Sequence, residues 1–318
     1  MSYKMFNKDL ICKDFQYEVG ETYELPNNEN LEMCKSGFHY CENPLDCLDY
    51  YPLLDNDCNV NPMCEVTPLG AIKTNGNKSV TNKIKIGARL NLGQFINASF
   101  KFIKENIKEP ETDEKVVATS GDHSKVATSG DYSKVATSGY ASQVANSGNH
   151  SKVATSGDYS KVATSGYASQ VATSGYFSNI ATSGNHSQVA TSGDWSQVAT
   201  SGNHNQVATS GNRAQISTSG NYSQVATSGD RAQISTSGDY SKITATGKNS
   251  IIANIGREGI AKGVKGTWIT LAEYKYYERK DIYIPMYVKA FKVDGKKVKE
   301  NTFYKLENKK LVEVKEEK

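Results

Sequence analysis

Long apolar runs are missing from this chain of 318 residues. Nothing approaches the roughly 18 to 20 consecutive apolar residues that cross a bilayer, which argues against a membrane-spanning helix. Met1 to Gly20 also lacks the basic-then-apolar order of a signal peptide, so a soluble protein that stays in the cytoplasm where it is made is expected. Cysteine is absent after Cys64, and no two cysteines have the CxxC spacing. The six present, Cys12, Cys34, Cys41, Cys47, Cys58 and Cys64, are even in number, yet without a secretory signal they are expected to remain thiols.

Charge of one sign is scarce as well. Met1 to Lys115 holds 13 Lys+Arg against 18 Asp+Glu, Val116 to Gly247 holds 7 against 6, and Lys248 to Lys318 holds 17 against 10. The scattered Lys297, Lys299, Lys305, Lys309 and Lys310 fall short of the basic stripe that tracks a nucleic-acid backbone, so direct nucleic-acid binding is not expected. A nearly neutral middle also has no rows of carboxylates with which to mimic DNA.

The middle of the chain repeats instead. From Val117 to Ile243 a Val or Ile recurs every nine residues in fifteen copies without a slip. Counted from that residue, the unit is V-A-T-S-G-x-x-S-[KQ], and its fifth position is glycine from Gly121 to Gly247 in every copy. Glycine at a fixed interval reads as a corner with positive φ. Between corners, Ser-[KQ]-Val-Ala-Thr alternates as a short strand does, with Ser, Val and Thr on one face and Lys or Gln on the other.

One such unit cannot bury its single large apolar side chain, but stacked units place Val on Val and Thr on Thr in ladders about 4.8 Å apart. The expected fold is therefore mainly β: a parallel β-solenoid, a β-roll or β-helix, over residues 116–262. Nine residues are too few for a complete coil, so two units per coil are expected, with about seven coils in all. The interior is too thin for a cofactor, and none is expected. The Gly/Ser content alone would fit a flexible linker, but a linker needs no fixed β-branched residue. The Asp that would build a calcium ladder follows the glycine in only some units, at Asp122, Asp131, Asp158, Asp194, Asp230 and Asp239.

Variation is concentrated at the sixth and seventh positions. The seventh reads His123, Tyr132, Ala141, His150, Tyr159, Ala168, Phe177, His186, Trp195, His204, Arg213, Tyr222, Arg231, Tyr240 and Asn249. Aromatics beside His and Arg are the residue types that dominate binding hot spots, so the twelve larger side chains of this row are candidate binding residues. The same row would also stabilise the solenoid by stacking, and the two readings are compatible. Thr shares the inward face with Val on this register, which disfavours an ice-binding surface; a shift by one residue would reverse that.

Both flanks read as caps for the open solenoid ends. Residues 1–115 are expected to form a small α+β domain. In it Asn43 caps a short helix begun by Pro44, strands run over Cys58 to Pro68 and Lys83 to Leu90, and an amphipathic helix spans Gln94 to Lys108 with Phe95, Phe102, Ile103 and Ile107 on one face. Cys34, His39 and Cys41 are the candidates for a metal site, against the plainer reading of core thiols beside a satisfied histidine. Residues 263–318 are expected to form an antiparallel β-domain, with Ile269 to Tyr274, Val288 to Val293, Thr302 to Leu306 and Lys310 to Val314 as strands and a hairpin turn at Asp294-Gly295.

The stretches FNKDLICKDFQYEVGETYEL and CKSGFHYCENPLDCLDYY, the serial SGxxS units, and GTWITLAEY before DGKKVK resemble a family encoded by phages and prophages of gut bacteria. The resemblance covers the whole chain and brings no established catalytic residues with it. The units are also similar to the β-roll heads of trimeric bacterial adhesins, a likeness of fold only. What the resemblance implies is a non-catalytic interaction protein in the host cytoplasm, with a host protein or protein–nucleic-acid complex as partner and inhibition of a host defence (anti-CRISPR or anti-restriction) complex as its role. The alternatives are a structural or adhesive virion component, an ice-binding-like surface solenoid, and an enzyme sited in the N-terminal domain. Self-association is left open.

Overall fold

A computed structural model describes residues 1–12, 15–26, 31–33, 35–105 and 116–314. The chain divides into two compact units, Met1–Lys108 and Glu109–Lys318.

In the second unit each nine-residue repeat contributes one four-residue strand, and alternate strands enter two parallel sheets. The first sheet begins with Val116–Thr119, Lys134–Thr137 and Lys152–Thr155; the second begins with Lys125–Thr128, Gln143–Asn146 and Lys161–Thr164. Partners lie eighteen residues apart, as in Val135 against Val153 and Val144 against Val162, until the last parallel pair, where Ile252 meets Ile269 seventeen residues on. Two units therefore make one coil. The solenoid extends for about nine turns over residues 116–271. It exceeds the expected seven because Ile252, Ala261 and Ile269 continue the inward row after the strict repeat has ended.

Val and Thr both point inward. Val135, Val153, Val189 and Val207 are fully enclosed, and Thr137, Thr155, Thr173 and Thr191 lie beside them. Each enclosed Val contributes about 1.5–3 kcal/mol through burial, and the eighth-position Ser turns its hydroxyl back to the glycine carbonyl three residues earlier, as Ser196 does to Gly193 at 2.8 Å. The Thr hydroxyls are less well served. Thr209 and Thr227 pair at 2.9 Å, whereas Thr137, Thr155, Thr173 and Thr191 find no hydrogen-bond partner among the described residues. The threonine array thus belongs to the core and not to the surface.

The glycines do something other than the sequence pattern predicted. None of the repeat glycines has positive φ; the left-handed residue is the seventh, from His123 to Asn249, with φ of 51–59°. Glycine is needed because the coils nearly touch at that point. From Gly139 to Gly256, an added Cβ would fall 1.9–2.2 Å from the carbonyl oxygen of the glycine one coil earlier. The constraint is space between neighbouring backbones, not rotation within one residue.

After the coil, the chain adds antiparallel strands to the edges of both sheets. Ile282–Lys292 pairs with Trp268–Tyr277 on the second sheet, and Tyr304–Glu307 joins the first sheet beside Ile260–Gly263 and pairs onward with Lys310–Glu313. Donors and acceptors left open at the end of the last coil are covered in this way. The hairpin turns fall at Asp281 and at Asn308-Lys309, all with positive φ. Asp294-Gly295 turns as well, its carboxylate accepting from Lys296 and Val298 backbone N–H groups. It does not close a hairpin, because the strands flanking it belong to different sheets.

The first unit has a four-stranded antiparallel sheet, ordered Ser2–Met5, Met63–Pro68, Lys83–Leu90, Thr22–Glu24, and a three-stranded sheet of Phe38–Tyr40, Lys78–Thr81 and Ile72–Asn75. Phe6, Tyr17, Phe38, Val66, Ile84 and Ile86 form its core. Asn43 caps a 3-10 helix over Pro44–Asp49, accepting from Leu45 N–H. The strand expected from Cys58 starts only at Met63, because Cys58 takes positive φ in a turn. The α-helix runs over Leu92–Glu105 with Phe95 and Ile96 buried; Ile107 and Lys108 lie outside the described residues.

Two outcomes follow for stability. Gly211→Ala, whose Cβ would meet the Gly193 carbonyl oxygen at 2.1 Å, should lower the melting temperature by the equivalent of about 1–3 kcal/mol or more. Gly121→Ala, with only the Ser124 hydroxyl at 3.3 Å, should be tolerated; equal effects in thermal denaturation would refute the close-approach account. Thr191→Val replaces a buried unpaired hydroxyl with a methyl group of the same shape and should raise urea resistance by about 1 kcal/mol.

Candidate binding rims and the N-terminal pocket

Because one coil takes two units, the single variable row of the sequence separates into two columns on opposite edges of the solenoid. One edge carries His123, Tyr159, Phe177, Trp195, Arg213 and Arg231; the other carries Tyr132, His150, His186, His204, Tyr222 and Tyr240. Ala141 interrupts the first column and Ala168 the second. All twelve candidate binding residues are thus at the rims, six to each.

Within each column the rings stack. On the first edge Tyr159 lies 5.2 Å from Phe177, Phe177 lies 5.7 Å from Trp195, and the Arg213 guanidinium covers the Trp195 ring at 4.5 Å. On the second edge His186, His204, Tyr222 and Tyr240 follow one another at 4.8, 5.0 and 5.0 Å, with interplanar angles of 4–5°. The guanidinium of Arg257 ends that column, 5.1 Å above Tyr240 and paired with Asp239 at 3.2 Å. Such contacts contribute about 0.5–1.5 kcal/mol each beyond area burial. Stacking and display coexist: Tyr132, Tyr159, Tyr222 and Tyr240 remain 42–56% exposed.

The sixth position has a job that the sequence reading missed. Its Asp or Asn oxygen accepts the backbone N–H of the corresponding residue one coil later, as Asp194 does from Asn212 at 2.7 Å and Asn203 from Asn221 at 2.8 Å. The carboxylates considered for calcium are therefore spent on joining coils. Three units place tyrosine there instead, and Tyr140, Tyr167 and Tyr176 stand exposed and touch Tyr159, His186 and Phe177 respectively. The signal was available in the alternation of Asx with Tyr at that position.

The two outer sheet faces are not equivalent. In the first sheet the outward alanines Ala136, Ala154, Ala172, Ala190 and Ala208 are buried to 2% exposure or less. In the second sheet the matching Ala127, Ala145, Ala163, Ala181 and Ala199 are exposed. There a shallow groove of about 1000 Å³ runs between the Lys/Gln row and the Ala/Ser row.

In the first unit, His39 and Cys41 sit at the edge of the three-stranded sheet, while Cys34 lies outside the described residues. Among the described residues no three His, Cys, Asp or Glu side chains are arranged to hold a metal ion. His39 and Cys41 instead line a pocket of about 200 Å³ together with Lys4, Cys12, Cys47 and Tyr51. Lys4 is 4% exposed, and its ammonium reaches the Cys12 sulfur at 3.3 Å and the His39 carbonyl at 2.9 Å. Burial holds its pKa below the ordinary lysine value. The Cys47 thiol is pushed well above its usual range by its hydrogen bond with Cys41 and by burial. Burial, assisted by a hydrogen bond to Cys12, raises the Tyr51 phenol.

Residues 1–98 match a domain of unknown function, DUF7666. No curated protein and no solved structure matches the chain. The architecture is that of a parallel β-solenoid protein in which the segment similar to DUF7666 precedes the coil in the sequence.

If the sixth-position bonds hold coils together, Asn203→Ala should cost about 0.5–1.5 kcal/mol by removing the acceptor of the Asn221 N–H. Hydrogen exchange at Asn221 should accelerate in that variant, and unchanged protection there would contradict the assignment.

Proposed function

We propose that this chain is a non-catalytic interaction protein whose solenoid rims engage a macromolecular partner. The observation that carries the reading is the pair of exposed, stacked columns of aromatic, His and Arg side chains on a rigid support. Aromatic rings held in place lose little entropy on binding, and Tyr, Trp and Arg supply most of the energy in interface hot spots. The closely packed Val/Thr interior leaves no room for a substrate, and variation between units is concentrated at the rims. In the phage setting that the sequence resemblance implies, the partner is a host protein or protein–nucleic-acid complex in the host cytoplasm, and inhibition of a defence complex is the role.

The test is affinity capture from host lysate with the full chain and two rim variants. One carries Tyr159→Asn, Phe177→Asn and Trp195→Asn; the other carries His186→Asn, His204→Asn and Tyr222→Asn. Asparagine tolerates the left-handed backbone at these positions, so circular dichroism should remain that of the parent. At least one variant should lose the captured complex. Capture that survives both variants, or recovery of the chain as a component of purified phage particles, would remove the proposal.

A further inference from the structure

The pocket in the first unit contains an amine–thiol pair that the rims do not use. Ser2–Met5 carries Lys4 into the interior, and Ile11–Cys12 brings Cys12 against it. Among the described residues the hydrogen-bond partners of the Lys4 ammonium are the Cys12 sulfur and the His39 carbonyl; no carboxylate neutralises it. Its remaining surroundings are the Phe6 and Tyr17 rings, 5.4 and 5.2 Å from the nitrogen. A lysine enclosed in this way is held toward its neutral, nucleophilic form.

Access to the thiols is unequal. Cys41, Cys47, Cys58 and Cys64 are buried, and Cys12 is the one described cysteine that is partly open. Burial pushes the Cys64 thiol up to about 11, and the hydrogen bond with Cys41 together with burial pushes the Cys47 thiol well above its ordinary range, which leaves both poor in thiolate. An oxidant entering the pocket therefore meets Cys12 first, with an amine 3.3 Å from the sulfur.

We propose that Lys4 and Cys12 form a peroxide-responsive covalent cross-link, an S–N bond that ties the first strand to the second and is reversed by thiols. In the first step the Cys12 sulfur attacks a peroxide oxygen. The O–O bond breaks, the sulfur becomes a sulfenic acid, and one water leaves when the peroxide is hydrogen peroxide. In the second step the Lys4 nitrogen lone pair attacks that sulfur. The S–O bond breaks, and the hydroxyl departs with a proton from the amine as a second water. Thiol and amine have together lost two hydrogens, the sulfur is oxidised, and the peroxide is reduced to two waters. A sulfenic acid is known to condense with a nitrogen or with a thiol. Here the nitrogen is in contact with the sulfur, whereas the competing Cys47 thiol is hydrogen-bonded to Cys41 and held protonated.

The test uses the full-length protein treated with hydrogen peroxide and digested without reductant. Asp-N cleavage before Asp9 and Asp14 separates Lys4 from Cys12. The expected product is residues 1–8 joined to residues 9–13, two hydrogens lighter than the separate peptides, with fragmentation placing the link at Lys4 and Cys12. Dithiothreitol should abolish it, and Lys4→Arg, which keeps the positive charge without a nucleophilic amine, should not form it. Dimedone added with the peroxide should suppress the link and label Cys12 instead. This second measurement is made on the parent protein and stands even where Lys4→Arg fails to fold. A disulfide from Cys12 to Cys41 or Cys47, a terminal sulfinic acid at Cys12, an oxygen-retaining bridge, or a link insensitive to dimedone would each overturn the proposal.

Discussion

Backbone meets backbone at the repeat glycines, and the solenoid depends on that approach. A coil rises by the spacing of one strand, about 4.8 Å, and the corner must fit within this rise. From Gly139 to Gly256, a Cβ there would lie inside the radius of the carbonyl oxygen one coil earlier. With the corner closed so tightly, the next residue but one is driven into the left-handed region, whatever its side chain. That side chain is then aimed outward in line with those of the coils above and below. The stacked rims are a consequence of the packed corners.

The same economy governs the polar groups. Backbone N–H groups at the turns are taken by the Asp or Asn one coil earlier, serine hydroxyls return to the glycine carbonyl, and the strands satisfy one another across the ladder. What is left over is revealing. Thr hydroxyls inside the coil are tolerated without partners, which implies that their β-branched shape, well suited to a strand, matters more to the fold than their polarity. The rims are left with aromatic, His and Arg side chains whose identities the corner does not constrain, and function is free to choose them. The N-terminal pocket follows a different logic, since Lys4 accepts the cost of burial in exchange for a sulfur, a carbonyl and two ring faces.

Period nine, β-branched residues on one face and an unbroken glycine register were enough to read a parallel solenoid with two units per coil and Val and Thr inside. That reading survives because a strand's alternation is local: once Val is inward, Thr two residues later must be as well. The glycine's role was misread for a matching reason. Positive φ is a property of one residue and suggests itself from sequence, whereas close approach involves a residue eighteen positions away. The Asp294-Gly295 turn was read as closing a hairpin for a similar reason, because local turn chemistry does not reveal that the flanking strands enter different sheets.

By itself the sequence determined the repeat unit, its inward and outward faces, the turn rows from His123 to Tyr240 and the short capped helix after Asn43. These rest on interactions within a few residues. Only the tertiary structure decided that the one row becomes two columns, that Asp and Asn join coils, that one outer alanine face is buried and the other open, and that Lys4 meets Cys12. Each of these depends on which distant backbone comes to lie alongside, and periodicity along the chain carries no record of that.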